Sequence, residues 1–316
     1  ESGIYSRKEY FTLNELDPYL INGDFQIKHL DAGIIIEFIE EIHSGYNPYI
    51  ELASDDYESL KLDLYRKNKN TLSTKIIRPN EVEKYNKIIL TYDYPNPNII
   101  FEKNLNGYNP KNKNTYCFKE ICLKNNSESF YNDAYIWVDE TEIEVDTGYN
   151  IIFKPIVIHP QSIPFKNKIS ISYESKNKNS AIYRYIEKNN TWRILDNNNN
   201  NNIQSNISSG GIFAVLEEKE IPSINNMKPK INGKYKAENI KQISFNVEDN
   251  LSGINENDIS IFLNNKKIYF NYIRYRNLIE ANINKKLPIG KHALKIEIKD
   301  RAHNFNTIDG EFIIIE

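Results

Sequence analysis

Methionine occurs once in 316 residues, cysteine and tryptophan twice each, and glycine and proline twelve times each. Two cysteines cannot build the disulfide framework that holds small secreted domains together, so any domain here must rest on an apolar core. Long apolar runs are also missing. Ile34–Ile39, interrupted by Glu37, and Phe312–Ile315 fall far short of the ~18 residues a membrane-spanning helix requires. Charge of one sign is missing as well: 40 Lys and Arg against 43 Asp and Glu leave a net charge of −3. That balance excludes a basic nucleic-acid binder, and with 40% hydrophobic residues it excludes an acidic disordered chain.

What is present favours strands. There are 22 Tyr and 14 Phe, Ile is abundant and Ala is scarce, a composition that suits pleated sheets better than helices. The enrichment in Asn, Ile, Lys and Tyr is also what an AT-rich genome produces, so Asn abundance says little about function. The chain begins at Glu1 without a charged start followed by an apolar stretch, and its first residues define no compartment.

Apolar residues alternate with polar ones through most of the chain, as in Leu60, Leu62 and Leu64; Ile169, Ile171 and Tyr173; Ile243, Phe245 and Val247; and Leu294, Ile296 and Ile298. This period of two marks strands with one buried and one wet face. Helical spacing is confined to short stretches around Thr12–Leu20 and Arg78–Tyr85. Clusters of Asn, Gly, Pro and Lys interrupt the runs at the spacing of sandwiches, among them three KNKN tracts at 67–70, 111–114 and 176–179 and the Asn197–Asn202 tract. Solvated turns are the expectation for all four.

The expected fold is all-β, a tandem of immunoglobulin-like β-sandwich domains. Residues 1–94 form the first sandwich, closed by Tyr94-Pro95-Asn96-Pro97, where proline lacks the ladder donor. Residues 95–219 form the second and 220–316 the third, with a bendable linker over Glu218–Lys234; the first two units could also share one larger core. The third unit is expected to hold about six strands, with Asn264-Asn265 as a two-residue hairpin turn.

Chemistry-bearing clusters are sparse. None of His29, His43, His159, His292 and His303 lies two or four residues from another, so no strand or helix presents a two-histidine zinc clamp. There is no G-x-S-x-G elbow and no glycine-rich phosphate loop. The acid pairs Asp55-Asp56 and Asp139-Glu140 are expected to be solvated. Five extended steps separate Cys117 from Cys122 by about 17 Å on opposite faces, so two unlinked thiols are expected unless a turn intervenes. Asp249 and Asp300 end strands, where a carboxylate fixes turn amides. A calcium loop from Asp249, Asp258 and neighbouring Asn carbonyls is the lesser alternative, because Leu251 breaks its one-three-five oxygen spacing. Tyr183, Tyr185 and Trp192, and separately Tyr269, Tyr272 and Tyr275, are expected to pack in cores or across strands, with glycan stacking as the alternative.

Two stretches carry a family resemblance. One joins Ala181–Tyr185, Asn190–Leu195 and Gly211–Glu217; the other joins Val247–Ile254, Ile261–Lys267, Leu287–His292 and Lys299–Asn304. Together they resemble the non-catalytic β-rich region downstream of the catalytic domain in bacterial lysostaphin-like zinc metalloendopeptidases, which cut peptidoglycan cross-links. The second set also resembles bacterial immunoglobulin-like repeats in general. His303 stands where such repeats commonly have glycine, and Asn264-Asn265 replaces a common Asp-Gly turn. The family's zinc signature has Asp four positions after His; here those positions are Gly33, Asn47, Ile163, Ile296 and Thr307. The resemblance therefore implies an exported accessory region at the cell envelope, periplasmic or extracellular, with no catalytic residue, cofactor or metal of its own. Its expected partners are peptidoglycan or other envelope glycans, or a catalytic domain in the same polypeptide. An adhesin or glycan-binding surface protein is the alternative.

Overall fold

The computed structural model describes residues 23–30, 33–40, 48–92, 98–126, 128–161, 163–174, 180–195 and 202–316. The expected helix at Thr12–Leu20, the KNKN tract at 176–179, most of the Asn197–Asn202 tract, the Tyr94–Pro97 break and His43 lie outside them. Among the described residues the chain is all-β, with one α-helical turn at Pro79–Val82 inside the stretch where helical spacing was read. No helix among them is long and apolar enough to cross a membrane.

Six sheets pair into three sandwiches. In the first, one sheet runs Gly23–Leu30, Gly33–Glu40, Thr71–Thr74, Leu64–Asn68, and the other Leu60–Leu62, Pro48–Ala53, Lys87–Tyr92, Asn98–Asn104. Phe25, Ile34, Ile36 and Phe38 from one face Ile50, Leu52, Ile88 and Leu90 from the other. Each fully buried apolar side chain of this kind is worth about 1.5–3 kcal/mol relative to exposure. Asn98–Asn104 pairs antiparallel with Lys87–Tyr92, so the first sandwich's ladder continues past the break expected at Tyr94.

The second sandwich sets Thr115–Phe118, Ile121–Lys124, Pro164–Glu174 and Asn202–Ser209 against a six-stranded sheet in the order Thr191–Ile194, Ser180–Ile186, Gly211–Glu218, Tyr149–His159, Ile136–Glu140, Gly107–Tyr108. The third sets Ser223–Lys228, Gln242–Glu248, Leu278–Asn282 and Asn271–Ile273 against Lys234–Lys236, Phe305–Ile315, Gly290–Lys299, Ser260–Leu263 and Lys266–Ile268. Much of the expected linker is therefore structure: Ser223–Lys228 pairs with Gln242–Glu248, and Lys234–Lys236 runs parallel to the final strand. Short strands with Asn at several positions conceal the alternation there. Asn264 and Asn265 both adopt positive φ, 50° and 63°, as the expected turn demands.

The six-stranded sheet is buried on both faces. Along Gly211–Glu218, Phe213 and Val215 enter the second sandwich's core, while Ile212, Ala214 and Leu216 face the opposite way and meet Ala302 of the third unit. Along Ile136–Glu140, Ile136 and Val138 enter the second core; Trp137, together with the preceding Tyr135, enters the first. One strand thus feeds two cores through the pleat. The expectation of two unlinked thiols is corrected here. Lys119, at φ 53°, and Glu120 make a two-residue turn that places Cys117 opposite Cys122, with Cα atoms 4.0 Å apart and the sulfurs bonded.

Candidate functional site

Three strand ends converge where the second sandwich meets the third. Glu218 closes Gly211–Glu218, Asp249 follows Gln242–Glu248, and Asp300 follows Gly290–Lys299. One carboxylate oxygen from each lies within 4.8 Å of those of the other two. The expected turn-fixing bonds are present. Asp249 Oδ1 accepts from the amides of Leu251 and Gly253, the latter at φ +82° where a side chain would be strained. Asp300 Oδ1 accepts from the Asn304 amide at 2.7 Å, and its Oδ2 accepts from the Asn304 side chain at 2.8 Å. Arg301 N donates to Gly253 O at 2.9 Å, tying the two loops together.

Glu218 has a different environment. Its Oε2 accepts from Tyr183 Oη at 3.5 Å. Its Oε1 and the nearby Ser252 Oγ are both buried, and no well-aligned hydrogen bond reaches either among the described residues. Burial, with Asp249 and Asp300 adding repulsion, pushes the Glu218 carboxyl up to about 8 against some relief from Ser252. Burial likewise raises Asp300 to about 6, offset in part by Asn304.

Glu37 in the first sandwich shows what pairing changes. It is 2% exposed and Glu218 3%, yet Lys28 and Lys67 reach Glu37 at 2.6 and 2.8 Å. Burial raises the Glu37 pKa, but the two ammonium groups outweigh it and leave the group below its ordinary value. Among the ion pairs of the described residues, none involves Glu218, Asp249 or Asp300. A buried carboxylate without a cation is costly, so this cluster needs either a proton or a positively charged ligand.

The junction around it is packed. Tyr149, Tyr183, Leu216 and Ala302 are buried together, with Leu251 against them. A Cβ at Gly148 would lie 3.0 Å from Leu251 Cδ1, so a side chain there would press on the third unit's Leu251. Beside the cluster, a polar crevice of about 730 Å³ runs between Arg193 and Leu195 on one side and Asp249, Asn255 and Arg301 on the other. Asp249 thus touches both the cluster and an opening to solvent.

Other residues singled out from the sequence are scattered. Asp258 accepts from Asn255 Nδ2 at 2.7 Å and is absent from the acidic cluster of Glu218, Asp249 and Asp300. His159 stacks on Trp137 at 4.6 Å between ring centroids. His292, buried, bonds with Asn264 and Pro288. His303 holds the glycine position at φ 71°. Asp55 and Asp56 fall in an irregular loop, both exposed, and Asp139 and Glu140 pair with Lys103 and Lys119. Tyr183 and Trp192 are core, whereas Tyr269 and Tyr275 project into solvent at 97% and 82% exposure. The sequence signal for the junction was Gly211–Glu217 itself. Ile-Phe-Ala-Val-Leu does not alternate, which marks a strand covered on both faces.

Fold and site together define a tandem array of β-sandwiches with an acidic cluster at one junction. No family model and no curated relative matches the chain. Among solved structures, the full extracellular region of plexin A4 is 9% identical at a TM-score of 0.23, covering 92% of this chain and 29% of that one. A structure from work on a 1.5-MDa bacterial ice-binding adhesin is 7% identical at a TM-score of 0.20, covering 94% and 99%. Likeness at this level carries no functional argument.

Proposed function

We propose that this chain is a non-catalytic, exported array of sandwiches that acts as a stiff spacer at a bacterial envelope, holding an attached domain at a set distance and orientation. The observation that carries this reading is the double burial of the six-stranded sheet: Trp137 enters the first sandwich's core, while Ile212, Ala214 and Leu216 pack in a separate cluster with Ala302 and Leu251 of the third unit, so the units are docked rather than strung on loose linkers. The short link 219–222 is itself held, with Asn306 Nδ2 bonded to Pro222 O at 2.7 Å. The Cys117–Cys122 bond suits an oxidising compartment. Following the resemblance in the sequence, the attached domain would be a lysostaphin-like peptidase and the surface peptidoglycan.

Small-angle scattering tests the spacer. The native chain is expected to scatter as one rod of fixed length, and Ala302→Glu, which forces a charge into the junction, to broaden its distribution of lengths. A native chain as flexible as the variant would end the reading. A second reading, glycan binding, is favoured by Tyr269, which stands exposed at the edge of a groove of about 910 Å³ with Phe270, Leu287 and Pro288. Cosedimentation with purified peptidoglycan that is lost in Tyr269→Ala would support it, and native protein left in the supernatant would remove it.

A further inference from the structure

We propose that Glu218, Asp249 and Asp300, with the Ser252 hydroxyl, form a calcium site that fastens the third sandwich to the second. The spacing carries the first part of the argument. Ligands around one Ca²⁺ lie at about 2.3–2.6 Å from it, so two of its oxygens can be no more than about 5 Å apart, and one oxygen from each of the three carboxylates lies within 4.8 Å of the others.

The unpartnered atoms carry the second part. Glu218 Oε1 and Ser252 Oγ are buried side by side, in residues 3% and 6% exposed; the Ser252 hydroxyl relieves the carboxylate only in part, and no well-aligned hydrogen bond reaches either atom among the described residues. A buried oxygen left unbonded costs stability, and a cation held between these oxygens would satisfy both. The donors are all oxygen, hard and anionic, which suits calcium and not zinc or copper, whose protein sites draw on imidazole and thiolate. Magnesium demands a tighter octahedron and gives up its waters reluctantly, so a cleft between two domains suits it less. The ligands come from both units, Glu218 from the second and Asp249, Asp300 and Ser252 from the third, so binding couples directly to docking. The crevice that Asp249 lines gives the ion a path from solvent. The inference does not depend on the spacer reading, since the site would bind calcium whatever the array positions.

The test uses the full chain stripped with EDTA and titrated with calcium chloride, followed by calorimetry and by thermal unfolding, with magnesium chloride as the comparison. One saturable site is expected, with an affinity on the order of 10⁻⁴ M, as in extracellular calcium modules, together with a rise in melting temperature that magnesium does not reproduce. Glu218→Gln and Asp300→Asn should each weaken calcium at least tenfold. Glu218→Gln keeps the side-chain shape and cannot ionise, so it should fold at least as well as the native chain in EDTA, which separates lost binding from lost folding. Terbium placed at the site should emit on tyrosine excitation, since Tyr183 Oη lies 3.5 Å from Glu218 Oε2, and calcium should quench that emission by displacement. Absence of heat and of any thermal shift at millimolar calcium would overturn the proposal. Calcium binding that survives in the Glu218→Gln, Asp300→Asn double variant would overturn it equally.

Discussion

The two junctions of this molecule are built from opposite materials. Between the first and second sandwiches, Tyr135 and Trp137 stack at 6.1 Å, Trp137 stacks on His159 at 4.6 Å, and both aromatic side chains join the first core. Between the second and third, a small apolar seat around Ala302 adjoins three converging carboxylates. Aromatic contact needs only exclusion of water and brings no charge into the junction, although the buried Tyr135 hydroxyl has no hydrogen-bond partner among the described residues. Carboxylates that repel one another do bring charge, so the second junction depends on what solution supplies. The contrast with Glu37 makes the same point within one protein: a buried acid with two lysines is a finished structural element, and one without them is an open site.

The sharpest way to break this comparison is Trp137→Ala. Removing a buried indole costs about 3–5 kcal/mol. Because Ile136 and Val138 point to the other core, the loss should fall on unfolding of the first sandwich and leave calcium binding at the far junction untouched, as followed by denaturant titration and calorimetry. If both transitions drop together, the junctions are not independent.

Replacing Cys117 and Cys122 by serine perturbs the second sandwich at a sheet whose apolar residues enter only its own core. Closing so short a loop is worth about 2 kcal/mol. The expected result is a lower midpoint for the second sandwich in chemical denaturation, with both junctions intact by scattering.

The smallest effect is the response to pH, and its sign should differ between the junctions. Burial, with Lys103 adding repulsion, pushes His159 down to about 4 from 6.5, so the unfolded chain binds a proton that the folded one refuses. Stability from this group is present above 6.5 and is lost as pH falls towards 4. Glu218 is raised to about 8 from 4.5, so in EDTA the folded chain holds a proton that the unfolded one releases. Its contribution is full below 4.5 and is lost as pH rises through 8. Thermal unfolding in EDTA between these limits should show opposite slopes for the two transitions, and Glu218→Gln should remove the part of the second slope between about pH 6 and 8, where Asp300 no longer contributes, and leave the first slope unchanged.

How much could be read beforehand follows from distance along the chain. Strands such as Gln242–Glu248 and Gly290–Lys299 fall where Ile243, Phe245, Val247 and Leu294, Ile296, Ile298 alternate, because the pleat repeats every two residues and needs no distant partner. The turn bonds of Asp249 and Asp300 were legible for the same reason, since each carboxylate reaches amides within four residues. Ser223–Lys228 was not, because Ile-Asn-Asn-Met offers too few apolar positions to show a face. The cysteine bridge was not, because Lys119-Glu120 carries no turn signature, and the left-handed conformation of Lys119 is imposed by the pairing on either side.

The sequence by itself determined the class of fold, the position of most strands and the turns that asparagine and glycine can make, all of them matters of a few neighbouring residues. Only the tertiary structure decided that Glu218 should meet Asp249 and Asp300. That meeting depends on how two separate sandwiches dock, and the energy that docks them comes from Tyr183, Leu216 and Ala302, residues that carry no charge and give no hint of the carboxylates they bring together.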